Sequence, residues 1–562
     1  MTSLSRFWVG LLLLSSVPLR AGDWTPDPSL GNPAAHHHLY DIGRRYLDAG
    51  YDPAAKLIRR GTAHFVRESA YYAYGLLLTG DPADRARAAD ILPQVLAAQD
   101  TRADSPSRGA FLWKAEDRWE DLKNPDLNSA AFVGLALADV VALDRKRPAL
   151  DPALRRRAEE ACRLAVAAVM RRDVDPGYTN IALLSTALAA AGKTLFDLPG
   201  SGEFAAGKLD MVLGLAGDGV CYEYSSPTYT GVDFEGAYSA RKFAFSPAFS
   251  AKADALIDHL WREVAASYHA PTFQLAGPFG RAYGDDILTY AAALKYYLYI
   301  ALDGAYPMDD DVEHGWDQGG LVVVADLPVT ARPEFKQPVP AWREFTARGP
   351  DDGRHPLRHL FQYREGDFIL GTVAFQDEWK QKRNLVAYWR SDAPQPSGFR
   401  VGFCIDESNE TLPDGMAYNL VHFHCQQVQG AALVAIATAK DLPGQGGLSL
   451  VFDAGAKAAA ATTAGPLVVR DGSMTTYLYP VTPGAARFAW EPGDKTARAV
   501  RPWTAADGIG SLHVLSYLAV FRPSGKAAPA VSGLFLGPGA DGGQSVARAT
   551  VDGAPLSVSF RD

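Results

Sequence analysis

Cysteine is scarce in this sequence: four residues in 562, at Cys162, Cys221, Cys404 and Cys425. They lie far apart and form no Cys-x-x-Cys pair. That excludes a zinc ribbon, a dithiol redox motif and a small disulfide-built scaffold. A Cys404–Cys425 bridge and buried free thiols both fit the pattern. Positive charge is not in excess either. The net charge of −9 argues against a nucleic-acid partner. It also sits awkwardly with a polyanionic ligand, although a local Arg/Lys cluster can outweigh distant charge because screening acts within about 10 Å. No apolar run is long enough to span a bilayer. The nucleophile elbow, phosphate loop, dinucleotide fingerprint and His-Glu-x-x-His are all missing, and Gly-rich stretches such as Gly444–Gly447 read as turns.

Hydrophobic residues make up 48% of the chain and charged residues 21%, which is ordinary globular composition. A single core stops growing at roughly 250–300 residues, so the length predicts two large domains. At the start, Arg6, the apolar run Phe7–Leu14 and the small residues Ser15, Ser16 and Ala21 have the form of an export signal over residues 1–21. The mature protein is therefore expected in the periplasm or outside the cell.

From about Tyr40 to Asp303 apolar residues recur at a helical period. The segments include Ala54–Leu78, Asp84–Ala98, Ser129–Leu143, Pro152–Arg171, Asn180–Ala191 and Ser250–Tyr268, with Pro and Gly between them. About ten helices joined by short loops suggest hairpins in a ring or bundle. After Gly304 the pattern changes to short β-rich runs separated by Gly/Pro/Asp turns, from Leu321–Val324 through Leu385–Trp389 and Ala431–Ile436 to Leu556–Phe560. The expected fold is multidomain, α then β: helical over 22–305, a linker over 306–340, and an antiparallel β-sandwich over 341–562. His36 to His38, just before the first expected helix, read as a polar lead-in or as an N-terminal metal clip.

Chemistry-bearing side chains gather in four loops of the helical part. The first holds Trp113, Glu116 and, further on, Asn128. The second is Asp175-Pro-Gly-Tyr178-Thr-Asn180. The third runs from Asp218-Gly219 through Glu223, Tyr224 and Tyr229 to Asp233. The fourth starts at His269 and reaches Gly277-Pro278, Gly280-Arg281, Tyr283, Asp285 and Asp286. Polar loops on one rim of a rigid scaffold are where sites are built. Aromatic faces stack on sugar rings, and tyrosine hydroxyls transfer protons. Arg281 offers a planar fork for a carboxylate, or an ion pair with Asp285 or Asp286. Asn128 and Asn180 each fit a helix cap, the commoner use of Asn there, or an amide aimed at a substrate carboxylate. His269 is a candidate base or a satisfied structural histidine. In the β region, His422 and His424 alternate onto one strand face, where they would ligate a metal, face the helical domain or simply pack; no carboxylate accompanies them at obvious ligand spacing. The basic run Trp379–Asn384 reads as a solvated hairpin or a contact for an acidic glycan.

In this order of parts the chain resembles polysaccharide lyases with an incomplete (α/α) toroid followed by antiparallel β-sheets, the chondroitin/hyaluronan lyases and heparinase II/III-like lyases. Asn180 matches the family's Asn on a helix-start loop. Asp218-Gly219 and Tyr229-Thr230-Gly231 match parts of its later loop. Tyr224 stands nearest the family histidine and Asp233 nearest the catalytic tyrosine, with Tyr229 one turn earlier. The resemblance implies β-elimination at a uronic acid in a polysaccharide or oligosaccharide, with no metal or organic cofactor. Asn180 and Arg281 would neutralise the carboxylate beside C5. Tyr229, then Tyr283 and His269, would move the protons. Asn128, Glu223, Tyr224, Asp233 and Trp113 would bind substrate.

Two other readings fit the same residues. A glycoside hydrolase would use a carboxylate pair from among Glu223, Asp233, Glu235, Glu116 and Asp285. A non-catalytic glycan-binding protein would use the aromatics alone.

Overall fold

The computed structural model describes residues 24–560 apart from 218, 285, 289–292, 309–317, 351–355, 378–380, 392–395, 405–420, 440–446, 454–458, 463–464, 482–487, 495, 503–507, 510–511 and 540–543. The expected export signal, Asp218, Asp285, Trp379 and Lys380 lie outside the described residues.

The N-terminal half is helical. Its elements are α1 (Pro33–Gly50), α2 (Val66–Thr79), α3 (Pro82–Ala97), α4 (Ser129–Lys146), α5 (Pro152–Arg172), α6 (Thr179–Phe196), α7 (Ser201–Ala216), α8 (Thr230–Lys242), α9 (Pro247–Ser267), α10 (Leu294–Ala301) and α11 (Leu321–Ala325). The helix starts follow local chemistry. Asn32, Asp81, Asp151 and Ser246 each accept a hydrogen bond from a first-turn N–H, and each is followed by a proline that needs no such partner. The central helix α6 is buried from Thr179 to Gly192. Small residues let its neighbours come close: a Cβ on Gly236 of α8 would stand 2.7 Å from Leu183 Cβ.

Three expectations fail here. The helix predicted from Ala54 starts only at Val66, because residues 51–65 form a three-stranded sheet that turns at Gly61 with φ +59°. Leu321–Val324, expected as a strand, is α11. A four-residue apolar run carries no period of its own, and packing decides: Leu321 and Val322 pack directly onto Gly43 of α1 and Gly75 of α2. That places part of the expected linker in the helical core. His36 to His38 are not a lead-in but part of α1, with His36 buried and its two ring nitrogens facing the carbonyls of Ala325 and Val329.

The C-terminal half is sheet-rich and antiparallel. One sheet has the order Ala489–Glu491, Ala497–Pro502, Gly447–Phe452, Ser397–Cys404, Leu385–Trp389, Phe368–Val373, Arg358–Glu365, Trp342–Ala347. A second is centred on Leu512–Pro523, Ala431–Ala439 and Val421–Val428. Strand alternation splits the second sheet's side chains between two cores. Val434, Ile436, Leu515 and Phe521 join Leu370, Leu385 and Trp389 of the first sheet. Leu433, Ala435 and Leu518 face outward onto a third sheet carrying Leu536, Val558 and Phe560. Cys162, Cys221 and Cys425 are buried free thiols, so Cys425 is not bridged. His422 and His424 do share a face, but their ring neighbour is Phe375, with Phe560 also against His424. No helix among the described residues is long and apolar enough to cross a membrane.

The halves meet backbone to backbone. A Cβ on Gly371 would lie 1.8 Å from the carbonyl oxygen of Gly277, and one on Gly219 2.2 Å from that of Thr346. Gly371→Ala is expected to destabilise the protein by about 2–3 kcal/mol, since backbone cannot step aside as a side chain can. Gly214→Ala, the same change in α7 with open space around it, is expected to stabilise by about 0.5–1 kcal/mol. Urea unfolding midpoints of the two variants check the opposite signs.

Candidate active site

Three loops converge around one buried carboxylate. The backbone N–H of Asn180, in the first turn of α6, has no acceptor within its helix. Glu223 supplies one: its Oε2 accepts from Asn180 N at 3.0 Å and from Asn180 Nδ2 at 2.6 Å. The positive end of the helix dipole favours a carboxylate there. The other oxygen, Oε1, accepts from Arg281 Nη1 at 2.5 Å. Asn180 therefore caps nothing; its amide and its backbone both serve Glu223, which is 4% exposed. Arg281 pairs with Glu223, 58 positions away in the chain.

Arg281 carries the cluster to the surface. Its guanidinium lies between the rings of Tyr229, at 4.2 Å, and Tyr178, at 4.9 Å. Nη2 donates to the Tyr229 hydroxyl at 3.0 Å, and Nε donates to Gln381 of the sheet-rich half at 3.0 Å. Burial works against the Arg281 charge, but Glu223 and the tyrosines more than offset it and hold the group firmly protonated. Burial pushes the Tyr229 hydroxyl up, more than Arg281 pulls it down, so the phenol is neutral at ordinary pH. Tyr229 stands at the start of α8, its N–H held by Ser226 Oγ at 2.8 Å, and is half-buried. Tyr283, 57% exposed, has its ring centroid 5.9 Å from that of Tyr229.

A hydrogen-bonded rim leads away from Arg281. The Tyr178 hydroxyl accepts from Asn128 Nδ2 at 3.1 Å, and Asn128 Oδ1 accepts from Arg172 at 2.7 Å. Asp126 accepts from Asn128 N at 2.9 Å and from Trp113 Nε1 at 3.2 Å. Trp113, Asn128, Tyr178, Arg281, Tyr229 and Tyr283 thus form one connected line. Tyr178 and Gln381 lie in segments that the sequence singles out, the second loop and the basic run, but the sequence gives neither a role of its own, and it does not mark Arg172.

Other predicted residues lie elsewhere. Tyr224 is buried and belongs to the apolar cluster of the sheets. Asp233 is 2% exposed, and burial, with Glu223 as the next cause, raises its pKa well above the carboxylate range. Both causes favour its protonated form. Glu116 is engaged with His64 at 2.6 Å, and Glu235 lies on α8 near Tyr297. Gln381 and Arg383 do not form a solvated hairpin. They pair with the fourth loop through Ala282 N to Gln381 O, at 2.5 Å, and Phe279 N to Arg383 O, at 2.9 Å.

His269 is buried with both ring nitrogens engaged, by Thr272 Oγ1 at 2.8 Å and the Gly366 carbonyl at 3.0 Å. Burial lowers its pKa to about 4. Between that value and the ordinary 6.5 the unfolded chain binds the proton and the folded chain does not, so stability falls as pH falls through this window. His269 alone should cost about 2 kcal/mol at pH 5 relative to pH 7. His269→Gln is expected to flatten the dependence of the urea midpoint on pH between 6.5 and 4.

The model of one family, described as a domain of unknown function (DUF8769), matches residues 37–317, half of the chain. No curated protein matches in sequence. Among solved structures, heparinase III is similar over 98% of this chain and 93% of its own, at 10% identity and a TM-score of 0.45. Heparan sulfate lyase HepC from Pedobacter heparinus is similar over 94% and 95%, at 10% identity and a TM-score of 0.35. A glycosyl hydrolase family 88 protein from Bacteroides vulgatus is similar over 52% and 97%, at 12% identity and a TM-score of 0.33. By its family match, which takes in every rim residue from Trp113 to Tyr283, the chain belongs to the DUF8769 family.

Proposed function

We propose that the protein is an exported polysaccharide lyase that cleaves a uronic-acid-containing glycan by β-elimination, on an incomplete α/α toroid backed by a β-sandwich. The observation that carries this reading is the half-buried Tyr229–Arg281 pair, with the exposed Tyr283 beside it and the carboxylates Glu223 and Asp233 buried more deeply. The groups that reach a substrate are phenols and a guanidinium, which suit elimination; a hydrolase needs two carboxylates at the sugar.

The C5 proton of a uronate leaves only if the developing enolate charge is stabilised. Arg281 supplies a fixed cation for the carboxylate, and Glu223 and Asn180 keep it aimed. Because Arg281 donates to the Tyr229 oxygen, the Tyr229 hydroxyl keeps its own proton for an outward acceptor. Tyr283, acting as its phenolate, takes the C5 proton; the C–H electron pair becomes the C4–C5 double bond, the C4–O4 bond breaks with its electron pair on O4, and O4 takes the proton of Tyr229, whose phenolate is reprotonated from solvent. Trp113 and Tyr178 offer ring faces along the rim for neighbouring sugars.

Incubation with a panel of uronate-containing polysaccharides is expected to give products that absorb in the near ultraviolet, from the new conjugated double bond. Tyr229→Phe should lower kcat about 10²–10⁴-fold. Reducing ends released without that absorbance would instead assign the Glu223–Asp233 pair a hydrolytic role, and binding with no product would leave a glycan-binding protein.

A further inference from the structure

Next to the loop that carries Glu223 lies a cluster that the elimination chemistry does not use. Cys221, His259 and Glu263 each offer a ligand atom, and these atoms all lie within 4.8 Å of one another. His259 and Glu263 are four residues apart on α9 and so share one helix face. Cys221 comes from the loop after α7. Cys221 and Glu263 are buried, and His259 is half-buried with its Nε2 enclosed and making no hydrogen bond. An enclosed imidazole nitrogen without a partner is costly unless something meets it. Glu263 is already turned toward the loop. Its Oε1 accepts from Ser225 N at 3.1 Å and its Oε2 from Cys221 N at 3.3 Å, and Ser225 sits at φ +48°. Each carboxylate oxygen keeps a second lone pair for a further partner.

We propose that Cys221, His259 and Glu263 bind a zinc ion that staples the Glu223 loop to α9. The donor set is the argument. A soft thiolate with an imidazole and a carboxylate selects Zn²⁺ over the hard cations Mg²⁺ and Ca²⁺, which take oxygen ligands. The charges close as well: one thiolate and one carboxylate balance a divalent ion, so the buried group is neutral when loaded. Tetrahedral zinc puts its ligand atoms about 3.3–3.6 Å apart, from bonds of about 2.0–2.3 Å, so the three side chains close by about 1 Å around the ion. Binding displaces the thiol proton to solvent, and a water completes the fourth position. The ion's effect is on position: Glu223, two residues after Cys221, is held in register with Asn180 and Arg281. This proposal does not depend on the elimination reading.

The test uses the full chain, stripped with a chelator and re-equilibrated with equimolar Zn²⁺. One zinc per chain should survive gel filtration, and the thermal midpoint should rise by a few degrees. Co²⁺ in place of zinc should give a thiolate-to-metal charge-transfer band. Cys221→Ser, which changes one atom, should abolish the band and the retained zinc while circular dichroism stays unchanged. His259→Gln, at a half-buried position, should lose the zinc as a second, independent variant. A His37→Gln/His38→Gln double variant should keep it. Failure of the wild-type chain to retain stoichiometric zinc, a Co²⁺ complex without the thiolate band, or a folded Cys221→Ser that still holds one zinc would each overturn the site.

Discussion

The buried carboxylate of Glu223 is the contact on which the site depends. It satisfies the first turn of α6, fixes the amide of Asn180 and compensates the Arg281 cation. Removing it would leave a charge enclosed between two tyrosine rings, and breaking such a buried pair costs about 3–5 kcal/mol. Three loops from distant parts of the chain are therefore locked by one side chain. The Tyr229 hydroxyl lies where it does because Arg281 is fixed from beneath.

Much of the outline was legible in the sequence. The helix expected from Pro152 starts there and the strand Leu385–Trp389 has the expected bounds, whereas the helices expected from Asp84 and Ser250 start at Pro82 and Pro247, each just after its Asp or Ser cap. Asn180, Tyr229 and Arg281, grouped by the family resemblance, lie in one cluster around Glu223. Partner choice was not foreseen. Whether Arg281 meets a neighbouring Asp or a Glu 58 positions away is decided by tertiary packing, which no local pattern records. The same holds for Leu321–Val324, whose secondary structure is set by the glycines of α1 and α2 beneath it. Of the two readings of His269, the satisfied structural histidine is the one found. A histidine at a loop start reads as available until a distant carbonyl, here that of Gly366, takes its second nitrogen.

The electrostatics of the site are arranged in layers. Acids lie underneath, with Asp233 pushed toward its protonated form and Glu223 paired. A guanidinium lies above them, and phenols lie at the surface. Burial is the largest influence on nearly every shifted group here, acting upward on Tyr229 and Asp233 and against the charge on Arg281. A chain with net charge −9 can thus hold a cation at its rim, with the paired carboxylate of Glu223 buried below it.

The fourth loop is bound to the segment 381–383 through backbone pairs and through the Arg281–Gln381 bond. This has a consequence for timing during synthesis. A nascent chain released only as far as residue 380 carries Tyr229, Arg281 and Tyr283 but lacks the strap that orients the guanidinium. The whole helical half can be out of the ribosome while its chemistry is still unassembled. The cluster is completed about one hundred residues after Tyr283 has been made, by the partner that order of translation places latest.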